Sequence, residues 1–113
     1  MLNLDFQQRV VINTSEQDWI DSPSAGVKRK LLEREEAERG RATSIVEYKP
    51  GASFNTHSHP LGEEILVLSG VFSDEYGNYP AGTYLRNPPG SSHAPFSKDG
   101  CVLLVKLHQF QHD

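Results

Sequence analysis

Six short runs rich in Val, Ile, Leu, Thr and Tyr, at residues 8–13, 27–32, 43–48, 63–72, 82–86 and 101–110, are cut apart by clusters of Gly, Pro, Asn, Asp and Ser. β-Prone runs of this length with turn chemistry between them belong to antiparallel barrels and sandwiches, because Gly and Pro end each strand and let the chain reverse. The chain is therefore expected to be all-β, a small antiparallel β-barrel or jelly roll. Segment 31–41, LLEREEAERGR, has the Leu, Glu, Arg and Ala content of a helix. Its apolar residues do not recur at helical spacing, and it joins two strand-like runs, so a strand running into a charged hairpin loop is expected. A length of 113 residues leaves room for one domain. That domain is expected to span 1–113, with extra strands from 1–42 and the barrel from 43–110.

Composition narrows the partners. A hydrophobic fraction of 36% and a charged fraction of 23% describe a globular chain rather than a disordered one. No apolar run approaches the roughly 20 residues of a membrane span, and the N-terminal stretch lacks the basic start and apolar core of a signal peptide. A cytoplasmic location with no membrane partner is expected. The net charge of −4 argues against nucleic acid, since phosphate binding needs a basic surface. Lys28, Arg29 and Lys30 form the one basic cluster, and Glu33, Glu35, Glu36 and Glu38 follow closely enough to cancel most of its field. It reads as a solvated face. Cys101 is the single cysteine, so no intrachain disulfide exists, and its apolar setting predicts a buried thiol.

Within this β-rich frame four residues stand at suggestive spacings: His57, His59, Glu63 and His93. In a strand, two residues two apart share a face, so His57 and His59 would project together. Glu63 follows a Pro60-Leu61-Gly62 turn, and His93 follows a second turn rich in Pro and Gly. Three imidazoles and a carboxylate suit one divalent ion, zinc foremost, with iron(II), manganese or nickel as alternatives. A His-X-His pair alone is common in surface loops; the downstream acid and third histidine make the metal reading the stronger one. Glu64 competes with Glu63, but neighbours in a strand face opposite ways, and Glu63 is preferred.

Segment 51–70 reads as Gly51, five residues, His57-X-His59, three residues, Glu63, six residues and Gly70; segment 82–97 reads as Gly82, five residues, Pro88-X-Gly90, two residues and His93. Together they resemble the two signature motifs of the cupin superfamily, which implies a double-stranded β-helix with the metal near its centre. Ser97 stands where the second motif usually ends in Asn, a departure at a supporting position. The stretch from Thr43 to Leu107 resembles the metal-binding cupin domain of ChrR-type anti-sigma factors and their stand-alone relatives.

The resemblance implies a stress- or ligand-sensing regulatory module. The alternative is a metal-dependent dioxygenase-type enzyme acting on a small dicarbonyl or other anion; a metabolite carrier with a structural metal is a third option. Whether the chain is catalytic stays open at this point, and a small-molecule ligand is expected. Sigma-factor binding is not expected, because no helical segment precedes the barrel. The run 63–72 is apolar on both alternating faces, so a second layer is expected over it, from the N-terminal strands or a second subunit. Since related cupins are often dimers, a homodimer is expected. Trp19 is read as packing on the barrel, Tyr84 as barrel packing and Arg86 as a surface ion pair. His108 and His112 are read as an exposed end, and Gly51, Gly70, Gly82 and Gly90 as turn residues.

Overall fold

A computed structural model describes residues 2–35, 40–54, the backbone of 57–58, and 61–108. Eleven strands lie among the described residues: β1 (Ile20–Asp21), β2 (Val27–Arg34), β3 (Ala42–Tyr48), β4 (Ala52–Ser53), β5 (His57–Ser58), β6 (Glu63–Asp74), β7 (Gly77–Pro80), β8 (Tyr84–Asn87), β9 (Ser92–His93), β10 (Phe96–Ser97) and β11 (Cys101–Leu107). No α-helix occurs among the described residues; one 3-10 turn spans Thr14–Glu16. All pairings are antiparallel, in the order β1-β2-β3-β11-β6-β10-β4 with β7 and β8 also on β6, and β5 with β9 forms a separate two-stranded sheet. The expected all-β class is what the chain adopts.

β6 is the spine. Its first residues, Glu63–Leu66, pair with both β8 and β11, and its last, Val71–Asp74, pair with β7, with Ser73 also meeting β10. The direction changes at Gly70, whose φ is 75° and where a Cβ would collide with the Gly100 carbonyl oxygen. Only a residue without a side chain permits that approach and that backbone angle together. A bulge lies opposite, between Val102 and Leu103, as the ladder bends.

Alternation fills the inside of the cup. Ile65 and Val67 of β6, Leu103 and Val105 of β11, Val27 of β2 and Tyr48 of β3 are buried around Phe72. Tyr48 meets Phe54 and Phe72 edge to face, with centroids 5.7 and 5.6 Å away. Each fully buried Leu, Ile or Phe contributes about 1.5–3 kcal/mol of transfer free energy. Cys101 is buried as expected, and burial pushes its thiol pKa up.

Several expectations change. Residues 8–13 form no strand, and Val10 and Val11 are exposed: β-branched residues favour strands only where a neighbouring strand is present to pair. The N-terminal strands do not cover β6; β1 and β2 extend the same sheet beyond β3, so Leu66, Leu68 and Val71 stay 36–46% exposed on the outer face. Tyr84 also lies outside, its hydroxyl donating to Glu64 Oε2 at 2.7 Å while Arg86 Nε donates to the Tyr84 oxygen at 3.3 Å. His108 is buried rather than exposed, because its backbone N–H bonds the Gly62 carbonyl and its Nδ1 lies 3.0 Å from the Gly40 carbonyl. His112 lies outside the described residues. The strand reading of 31–41 holds through Arg34, while 36–39 lie outside the described residues. Trp19 is half-buried under the Lys30 ammonium, 4.5 Å from the ring centroid.

Candidate metal centre

Two turns deliver the site. Ser91 N–H bonds the Pro88 carbonyl at 3.0 Å across Pro89 and Gly90, and Gly90 has φ 81°. Pro at the second position and a positive-φ Gly at the third are the type II pattern, which reverses the chain tightly into β9 and His93. The Gly62 turn, with φ 85°, leads into β6 and Glu63. Alternation along β6 then points Glu63 inward and leaves Glu64 outside with Tyr84.

Inside the cup Glu63 Oε1 lies 3.1 Å from His93 Nε2, with both side chains more than nine-tenths buried. Asn87 Nδ2 donates to the same Glu63 oxygen at 3.0 Å. On the other edge of the imidazole, Asp74 Oδ2 stands 3.7 Å from His93 Nδ1. Asp74 is itself fixed: its Oδ1 accepts from Tyr79 Oη at 2.8 Å and from the Tyr76 backbone N–H at 2.9 Å. One carboxylate thus faces each ring nitrogen. The end of β9 is tied down further by the Ala94 N–H, which donates to Glu75 Oε1 at 3.1 Å.

The electrostatics follow from these contacts. Burial by itself would lower the His93 pKa, but Glu63 and then Asp74 outweigh it, and the net shift is upward from 6.5. Burial, and then the negative charge of Glu63, raise the Tyr48 phenol far above its ordinary value, so it is a neutral hydrogen-bond donor. Burial and the bond to Asp74 push the Tyr79 phenol up to about 12.

Of the four sequence-predicted ligands, Glu63 and His93 are brought together by their side chains. The backbone of His57 stands directly opposite that of His93 in the β5–β9 ladder, and the His57 side chain lies outside the described residues. His59 lies outside the described residues. Among the described residues no three His, Cys, Asp or Glu side chains close on a single point. The donor pair nevertheless fits a metal: two ligands each about 2.1 Å from one ion stand roughly 3.0–3.4 Å apart, depending on whether the geometry is octahedral or tetrahedral. The observed 3.1 Å falls inside that interval.

Sequence reasoning missed Asp74 and Asn87. Asn87 precedes Pro88 and reads locally as turn chemistry, yet it is the β8 partner of Glu63. Asp74 ends a long apolar strand, and its burial is the signal that marks it. Ser97, at the departing motif position, is fully buried and its Oγ donates to the Val71 carbonyl at 2.6 Å, a bracing role.

The Glu63–His93 pair opens on a cavity of about 420 Å³ whose walls include Val46, Phe54, Ile65 and Leu103. That size is in the range of small-molecule sites.

A family model described as the ChrR cupin-like domain matches residues 7–111. The chain belongs to this family. Among solved structures, this cupin is similar to a candidate acetylacetone dioxygenase from Methylibium petroleiphilum (20% identity, 88% of this chain and 76% of that one, TM-score 0.78). It is similar as well to an acetylacetone dioxygenase from Acinetobacter johnsonii (21% identity, 88% and 72% covered, TM-score 0.72). The structure of Rhodobacter sphaeroides SigE in complex with the anti-sigma ChrR also matches (22% identity, 84% of this chain, TM-score 0.68), and there the cupin spans 50% of the matched chain. No curated protein matches the sequence. At these identities the likeness establishes the fold.

Proposed function

We propose that this cupin holds one divalent metal through His57, His59, Glu63 and His93, and that it works as a ligand- or stress-sensing module of the ChrR type. The observation that carries the reading is the buried Glu63–His93 pair, 3.1 Å apart, at the edge of an apolar cavity. A bound divalent ion would supply Lewis acidity and a net charge of about +1 with its one carboxylate ligand, which attracts anionic oxygens. The protein's own groups prepare the place for it. Asp74 sets a negative charge 3.7 Å from Nδ1, on the edge of the ring away from Glu63, where the carboxylate stands in a carboxylate–histidine arrangement. Asn87 fixes the Glu63 carboxylate, and the apolar walls keep bulk water away.

A second reading, a dioxygenase-type enzyme acting on a small dicarbonyl, is favoured by one specific observation: the cavity has space for a small organic molecule directly beside the pair. The likeness to two acetylacetone dioxygenase structures supports the same reading. Four protein ligands leave two open positions on octahedral iron and none on tetrahedral zinc.

Metal analysis of protein purified without added metal, with an oxygen electrode and acetylacetone as probe, separates the readings. Tightly held zinc without oxygen uptake is the sensing outcome; iron with uptake is the enzymatic one. Protein that takes up no divalent metal at all removes both. We further propose that the exposed Leu66, Leu68 and Val71 are the face on which two copies pair, which sedimentation analysis tests directly by returning a dimer or a monomer.

A further inference from the structure

We propose that the cavity takes a small organic acid whose carboxylate is gripped by the guanidinium groups of Arg29 and Arg34. The acid's apolar body would lie against Val46, Phe54 and Leu103, and its far end would point toward Glu63 and His93. Only the far end rests on the metal reading above.

The argument starts from register. Val27 pairs with Tyr48 and Arg29 with Val46, so Arg29 shares the inward face of β2 with buried Val27. Strict alternation would then turn Arg34 outward, five residues on. A bulge between Leu31 and Glu33 adds a residue and resets the parity, so Arg34 comes opposite Ala42, itself a buried inward residue. Both arginines line the cavity as a result. The bulge is what puts two cations on one inner wall.

Reading across the ladders at that level gives Arg34, Ala42, Leu107, Glu63 and Asn87 in a single row. Arg34 and Glu63 are three strand spacings apart, about 14 Å along the sheet and less across the curl. The β3 positions between them carry small side chains, Ala42 in this row and Ser44 in the next, and that leaves the space open. The β2–β3 wall therefore presents donors: two guanidiniums and the Ser44 hydroxyl, with the neutral Tyr48 phenol farther along.

Guanidinium is permanently charged, forked and matched in shape to a carboxylate, and such paired bonds are about twice as strong as neutral ones. In an apolar pocket the preference for an anion over a neutral ligand of equal shape is correspondingly large. The ligand class is thus an acid with one anionic end and a compact apolar body.

Isothermal titration with 4-methyl-2-oxopentanoate and with its methyl ester tests this, on protein carrying its metal and on protein stripped by chelator. The acid is expected to bind at least tenfold more tightly than the ester in both forms. Arg29→Met and Arg34→Met should each weaken the acid at least tenfold while leaving the ester affinity and metal content unchanged, and Arg29→Lys should recover part of the loss. Equal binding of acid and ester, binding of neither, or folded Met variants that keep full acid affinity each overturn the proposal. If the Met variants do not fold, the acid-to-ester ratio of the native chain decides. A protein that holds no metal but keeps the acid preference sinks the metal reading and leaves this one standing.

Discussion

Along β6, Glu63, Ile65 and Val67 turn into the cup, while Glu64, Leu66 and Leu68 turn outward, and the two sets meet different surroundings. Inside, Ile65 and Val67 are covered by Leu103 and Val105, and the charge of Glu63 is met by His93 and Asn87. Outside, Leu66 and Leu68 remain exposed, and Glu64 meets Tyr84 at the surface. The two faces have almost the same hydrophobicity, so composition does not decide which is core. The curl of the sheet decides it, and the inner face is where a charged pair can be buried and oriented.

The largest effect that would break this contrast lies at the centre. Replacing His59 by Ala, or His93 by Ala, is expected to cut bound metal at least tenfold, measured by elemental analysis after gel filtration. Full retention in either variant removes that residue from the ligand set. Next comes packing. Leu103→Ala should cost about 2–5 kcal/mol in urea unfolding, because a fully buried side chain packed in the apolar cluster is lost and the cavity beside it grows. Leu68→Ala should stay within about 0.5 kcal/mol as a monomer. A larger loss at Leu68 that grows with protein concentration would show that a second copy covers the outer face, and so sharpen the comparison.

A smaller effect probes the orientation of the pair. Asp74→Asn retains both Glu63 and His93 but removes the charge facing Nδ1, and a loss of about 10–100-fold in metal affinity is expected from a partner of this kind. Competition with a chromophoric chelator measures it. A loss below threefold would mean that the ring is held by packing alone.

These residues also show how far the chain could be read without coordinates. Glu63 and His93 were legible because each sits a fixed few residues from a turn glycine, a short-range relation that sequence records. Strands β2, β3, β6 and β11 were legible from their β-prone runs, whereas two-residue strands such as β9 and β10 are set by their neighbours and leave no local pattern. Asp74 and Arg34 were hidden by one cause, a shift of parity. Alternation from Glu63 puts odd-numbered residues inside, but the register skips Leu68 between Val67 and Ser69, and beyond it Phe72 and Asp74 are buried, as is Ser73 between them. The β2 bulge does the same for Arg34. A bulge one residue long changes which face every later side chain occupies, and nothing in hydrophobic patterning marks its place.

The smallest expected effect separates the cup's inner pair from ordinary surface charges by pH. His93 has a folded pKa raised above 6.5, so in metal-free protein its charged form adds stability that is complete below the unfolded value and is lost as pH rises through the folded one. The thermal midpoint of chelator-treated protein, taken relative to a His93→Gln variant, should therefore decline as pH is raised from 6 upward. Metal works in the opposite sense, because the imidazole must be unprotonated to bind it, so the midpoint gain on adding zinc should grow over the same range. A metal-free difference that is flat with pH would mean that Glu63 and Asp74 do not hold the imidazolium. Outer-face Glu64→Gln should leave both curves unchanged, since its side chain lies on the far side of the sheet from the imidazole, with Tyr84 and opposite Arg86 and Lys106.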